Sequence, residues 1–310
     1  MELEPVEDAR LSPSMSVRDL IEALRKIHGF TASSIVDAIE VLREASKSCD
    51  VMVLSFTANL VATGLRGVLA QLIEEGPFNV VFTTCGTLDH DIARSFGARY
   101  LRGVFDANDE ELAEKGIHRL GNVFIPVTDY GPLIEKTLYR LLDEIVLSSG
   151  KREWGVRELL HEIGARIDDR NSILRVCASK GVPIYVPGFV DGAFGTTLLT
   201  YSRLRGLRID ALKDQQELAD IFFRAKRVGG LIIGGGISKH HAIWWSQFAG
   251  GMEYAVYITT AVEWDGSLSG ARPREAVTWG KIRPRARKVV VYGDATVLLP
   301  IIAYGVLYTA

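Results

Sequence analysis

The sequence predicts an α/β fold: a mostly parallel sheet with helices on both faces, in a single domain. Three observations lead there. Short runs of continuous Val, Ile and Tyr recur along the chain, as strands buried on both faces require. Stretches with helical spacing separate them, the alternation of a layered α/β domain. Several of the runs end in small or polar residues, where the ligand crevice of such sheets lies. No internal repeat, low-complexity tract or linker interrupts the pattern, so one Rossmann-like domain over 16–310 follows a mobile polar arm at 1–15.

The elements follow in order. Ser16 opens the first helix, because "SVRD" offers an N-cap with an acid three residues on. Leu20, Ile21, Leu24 and Ile27 make its apolar stripe. "TASSIVDAIEVLREASKS" is a second helix and "DVMVLSF" the first strand, followed by a helix through "LRGVLAQLIEE". "FNVVFTT" is the next strand, with a helix through "DHDIARSFG". "NVFIPV" is expected as a third strand, before a long helical region from about Pro132 to Ile167. "VPIYVPG", "GGLIIGGG", "EYAVYITT" and "KVVVYGDA" supply four more strands, and "VLLPIIAYGVL" reads as a buried helix.

Composition excludes several classes. Lys and Arg number 36 against 38 Asp and Glu, a net charge of -2. That balance argues against a protein built to hold nucleic acid. Cys49, Cys85 and Cys177 are far apart and lack C-x-x-C spacing, which argues against a disulfide framework or a zinc site and fits a reducing cytoplasm. "MELEPVEDAR" is acidic and unlike a signal peptide, and no stretch reaches the roughly 18 apolar residues that span a bilayer.

Motifs narrow the chemistry only partly. The strand ends "TTCGT", "PGFVDGAFG", "GGGISKHH", "TTA" and "YGDA" combine glycine with incipient helices, which suits a nucleotide-like ligand as a class. No G-x-G-x-x-G and no G-x-x-x-x-G-K-[ST] is present, and "GGGISK" is also a plausible tight turn. His240 and His241 are adjacent, a poor metal pair; one packed and one solvated histidine is the bland reading, a proton carrier the functional one. Trp244, Trp245 and Trp264 suit a core or a subunit interface. Asp191 and Asp294 suit turns, or ribose hydroxyls. Lys281, in "EAVTWGKI", is the residue whose setting asks for explanation. Most lysines are solvated. A neutral lysine amine, in contrast, attacks a carbonyl or imine carbon, with Trp279 as a wall and Glu275 as an ammonium partner.

Read together, the segments resemble a known family. "AVYITTAVEWDGSLSGARPREAVTWGKI" (255–282) is similar to the active-site region of deoxyhypusine synthases. "FTANLVATGLR", "VFTTCG", "KGIHRLGNVFIP", "GGGISKHH" and "VYGDATVLLP" match in register, so the likeness runs from about residue 20 to the end. The resemblance implies an NAD-dependent transferase. Spermidine is dehydrogenated to an imine, Lys281 attacks it and displaces 1,3-diaminopropane, and the aminobutyl group passes to a lysine of a hypusine-containing translation factor precursor. It also implies His240 as proton carrier and Trp279, Glu275, Gly266, Gly235 and Asp89 at the amine. NAD would lie against Asn59, Leu60, Val61, Thr84, Cys85, Gly86, Asp191, Thr260, Ala261, Asp294 and Ala295. No metal, nucleic acid or membrane is implied, and the expected assembly is a homotetramer with active sites at dimer interfaces.

The chain departs from the family at defined points. Asp89 and His90 stand where many members have two glutamates, Thr196 where many have an aspartate, and Leu268 where eukaryotic members have one. Ala58 and Ala62 replace serines beside the cofactor. These changes bear on which amine is used, with transfer to a free amine or use of agmatine as the alternatives, and a non-catalytic NAD-binding scaffold as the rival from another class.

Overall fold

The computed structural model describes residues 5–309. Residues 1–4 of the expected arm lie outside them; residues 5–15 run without helix or strand, and Glu7 pairs with Lys26 at 3.2 Å. Ser16 caps the first helix, Val17–Ile27, in a complete capping box with Asp19.

Internal packing divides the chain into two compact units, one of residues 5–55, 75–78 and 222–309, the other of residues 56–74 and 79–221. Both hold parallel strands among helices. In the first unit the strands follow the order Ile282–Tyr292, Met252–Thr259, Val228–Ile233, Val51–Phe56. Met252–Thr259 runs parallel to both of its neighbours. Every residue of Val51–Phe56 and Val228–Ile233 is buried, which is why these segments read as continuous apolar runs. Helix Thr31–Ser48 packs Ile35, Ile39 and Leu42 inward, and helix Ala295–Tyr308 packs beside it. The latter is the greasy C-terminal run, with Pro300 inside it.

In the second unit Val80–Phe82 and Ile184–Tyr185 pair in parallel. Two expectations change here. "NVFIPV" does form a strand, Val123–Pro126, but it joins Ile117–Leu120 and Leu101–Arg102 in a separate antiparallel sheet. The Gly121–Asn122 pair between the strands is a hairpin turn, and hairpins make antiparallel ladders. The helical region beginning near Pro132 is two helices, Gly131–Ser149 and Val156–Gly164, with the short strand Glu153–Trp154 between them. Gly150 ends the first in a left-handed conformation, φ 66°, that glycine adopts without steric cost.

A buried ion cluster ties this unit together. Arg66 Nε donates to Asp91 at 2.6 Å and Nη1 to Asp169 at 2.7 Å. Asp91 in turn accepts from the backbone of Ile173 and Leu174 and from Ser172 Oγ, fixing the start of helix Ile173–Lys180. No helix among the described residues is long and apolar enough to cross a membrane, and no group of three or more metal-ligating side chains occurs among them.

Candidate active site

A cavity of about 330 Å³ opens in the first unit, and its walls come from three neighbouring pieces of chain. The first is helix Gly236–Ser246, which leaves the strand Val228–Ile233. Its spacing puts Lys239 and Ile243 on one line and His240 and Trp244 on the next, all four facing the cavity. The second is the segment through Leu268, Ala271 and Arg272 into the short helix Pro273–Thr278, which presents Glu275 and Ala276. The third is Trp279, Gly280 and Lys281, where the helix ends and the strand Ile282–Tyr292 begins.

Lys281 has a fixed root. Its backbone N–H donates to the Ala276 carbonyl at 3.0 Å, and its carbonyl accepts from Met252 N at 3.0 Å. Lys281 is only 9% exposed, unlike most lysines. The Nζ lies 5.4 Å from the Trp279 ring centroid and 5.8 Å from that of Trp244, so two indoles flank it. His240 stacks on Trp244, centroids 5.9 Å apart and planes 20° apart. Desolvation, then the Lys281 charge, lower the His240 pKa, so its imidazole is neutral at neutral pH and free to accept a proton. His241, on the other side of the helix, is the packed member of the pair: it accepts from Trp245 Nε1 at 3.3 Å, and burial pushes it down to about 4.

Lys239 is the residue that sequence reasoning missed. It is buried at 1% exposure, its Nζ donating to the Ala271 carbonyl at 2.8 Å and lying 4.2 Å from the Tyr257 centroid. Burial pushes its amine down to about 8, opposed by the Glu275 charge. "GGGISK" carried the lysine, but its inward direction depends on the tertiary packing of Tyr257 and Ala271. Trp244 was legible as an aromatic and not as a cavity wall; its position four residues after His240 was the available signal.

The other expected positions fall as follows. Gly235 precedes the cavity helix so tightly that a Cβ there would lie 2.1 Å from Ser269 Oγ and 2.5 Å from Ser269 Cα. Gly266 sits in an exposed turn outside the cavity lining. Thr260 and Ala261 follow the strand Met252–Thr259, and Asp294 caps helix Ala295–Tyr308 through Thr296 N at 2.9 Å. In the second unit Asn59 and Leu60 lie in a short turn with Val61 after it, and Thr84 accepts from Ala58 N at 3.2 Å. Cys85 and Gly86 open helix Cys85–Ser95, which has no side-chain cap. Asp191 is exposed. Asp89 is buried and already engaged, accepting from Ala193 N at 3.1 Å, Phe194 N at 2.7 Å and Tyr130 Oη at 3.0 Å. His90, beside it, bonds Tyr100 Oη through Nδ1 at 2.7 Å, and burial pushes it down to about 4.

A buried lysine between indoles, with a neutral histidine alongside, can carry a group covalently. The family model for deoxyhypusine synthase matches residues 19–306. This chain belongs to the deoxyhypusine synthase family. It is 57% identical over 309 residues to the "Probable deoxyhypusine synthase" of Ignicoccus hospitalis, covering 98% of this chain and 96% of the relative. It is 58% identical over 310 residues to that of Aeropyrum pernix, covering 99% of both. A crystal structure from Entamoeba histolytica assigned to deoxyhypusine synthase superimposes with a TM-score of 0.61, at 19% identity, over 94% of this chain and 93% of that one. The last likeness is one of fold alone. Members of the deoxyhypusine synthase family are aminobutyl transferases.

Proposed function

We propose that residues 16–310 act as one catalytic domain that moves the aminobutyl group of spermidine, through a covalent imine on Lys281, to a lysine of a hypusine-containing translation factor precursor. One observation carries the reading: within a chain matched to the family almost end to end, Lys281, His240, Trp279 and Glu275 line one cavity.

Within each unit taken by itself, residues expected at NAD carry features that suit part of such a ligand. Gly86 approaches Ala58 so closely that a Cβ on it would lie 2.9 Å from the alanine Cβ, and the helix behind it starts with uncapped N–H groups that favour an anion. Asp294 and Asp191 offer exposed carboxylates suited to ribose hydroxyls. When bound, NAD supplies the hydride acceptor that turns the donor amine into an imine. Lys281 Nζ then attacks the imine carbon, the bond to diaminopropane breaks, and its electron pair goes to the leaving nitrogen. That nitrogen takes the proton Nζ gives up, and His240 is placed to relay it. Glu275, the one carboxylate in the lining, attracts an ammonium group. We place the enzyme in the cytoplasm as a homotetramer, which would give exposed aromatics such as Trp264 a partner surface.

Lys281→Arg tests the reading, because arginine keeps the charge and cannot become a nucleophile. The variant should fold and bind NAD, yet yield no borohydride-trapped adduct with spermidine and transfer nothing to the precursor. Near-normal transfer by Lys281→Arg would refute the assignment.

A further inference from the structure

We propose that Trp244 is a catalytic residue: with Trp279 it brackets Lys281 Nζ and stabilises the positive charge that this nitrogen bears as a protonated imine. The proposal rests on the aminobutyl-transfer reading for its purpose, though not for its test.

The geometry is specific to one atom. The two ring centroids lie 5.8 Å and 5.4 Å from Nζ, both inside the range where an indole face attracts a cation. Trp244 is held there by its neighbours, with His240 stacked at 5.9 Å and Phe248 edge-on at 6.1 Å. Charge makes the rings necessary. Besides Lys281 the lining holds Lys239 and Arg272 as cations and Glu275 as its single acid. Ile243 on the helix and Tyr257 on the strand Met252–Thr259 offer no carboxylate, and Leu268 is apolar. A cation on Nζ therefore has Lys239 as a like charge in the same cavity and Glu275 as the lining's anion, Arg272 being paired with Glu263. The two π faces compensate without themselves taking up the imine proton. A protonated imine is the electrophilic form, so a site that keeps it protonated favours its later attack by an acceptor amine.

Reductive alkylation tests this with no cofactor. Butanal is offered to the protein with cyanoborohydride. The Nζ lone pair attacks the aldehyde carbon, and oxygen leaves as water with one proton from Nζ and one from solvent. The resulting C=N bond, charged at nitrogen, accepts a hydride from cyanoborohydride. Peptide mass spectrometry reads the alkylated fraction at Lys281 against exposed lysines in the same sample, across pH.

Trp244 is 42% exposed, so Trp244→Leu should lower that ratio about three- to fivefold, the worth of one solvent-accessible cation–π contact, and Trp244→Phe should fall between. Should the leucine variant not fold, fluorinated tryptophans placed at position 244 keep the shape while draining charge from the ring, and alkylation should fall stepwise with fluorine number. Equal alkylation in Trp244→Leu, or no trend with fluorination, overturns the proposal. A separate arm with NAD and spermidine guards the underlying reading: no adduct in the unaltered enzyme, with butanal labelling of Lys281 intact, would sink aminobutyl transfer and leave the indole bracket standing.

Discussion

Replacing Asp89 by alanine separates a scaffold role from a substrate role at a position where the sequence suggests amine binding. Its carboxylate is 1% exposed and accepts three hydrogen bonds, two from the first N–H groups of helix Ala193–Arg205 and one from Tyr130. An exposed cap is worth about 1 kcal/mol, which sets the floor. Hydrogen bonds to a charged acceptor are worth about 1.5–3 kcal/mol each, so three set a ceiling well above that. Burial of the carboxylate works against the total and raises its pKa, as expected for a charge withdrawn from water. The balance is a loss of about 3 kcal/mol for Asp89→Ala. Urea unfolding at neutral pH measures it as a lower midpoint at unchanged slope. Amine binding in the cavity, followed by tryptophan fluorescence, should persist in the variant. A loss below about 1 kcal/mol together with abolished amine binding would refute the scaffold role and return Asp89 to the substrate.

Three further outcomes follow from the same structure. Arg66→Leu leaves the buried carboxylate of Asp91 without its guanidinium and should cost about 3–5 kcal/mol in the same urea assay. His90 has its pKa depressed from 6.5 to about 4, so its share of stability is complete above pH 6.5 and is lost as pH falls from 6.5 towards 4. That share is on the order of 3 kcal/mol, and His90→Asn should remove about half of the midpoint's fall across this window, His241 with the same depression keeping the rest. Gly235→Ala drives a methyl into the backbone of Ser269, so the 266–272 segment must move; trapping at Lys281 should weaken more than global stability does.

Much of this was legible because the signals were local. Glu275, Trp279 and Lys281 lie within seven residues, so one short helix and the turn after it deliver them to one wall. The capping box at Ser16 and the helix Thr31–Ser48 were likewise local patterns. What failed to show depended on partners distant in the chain. Val123–Pro126 has the composition of a central strand, and only its pairing with Ile117–Leu120 excludes it from the parallel set; the Gly121–Asn122 turn was the missed cue. Lys239 looks like any solvated lysine until Ala271 and Tyr257 close over it. Nor does the sequence show that Asp89 accepts from the first N–H groups of a helix begun a hundred residues later.

The pinned backbone of Lys281 has a further consequence. Bonded on one side to Ala276 and on the other to Met252, the residue cannot travel; only four methylenes can flex. An arm that short, rooted in a strand, is a mooring rather than a ferry. Cargo must be brought to it and collected from it, and a cavity of about 330 Å³ has a single berth at Nζ. On the function proposed above, donor and acceptor would dock in turn: diaminopropane would have to clear the berth before a protein lysine came alongside.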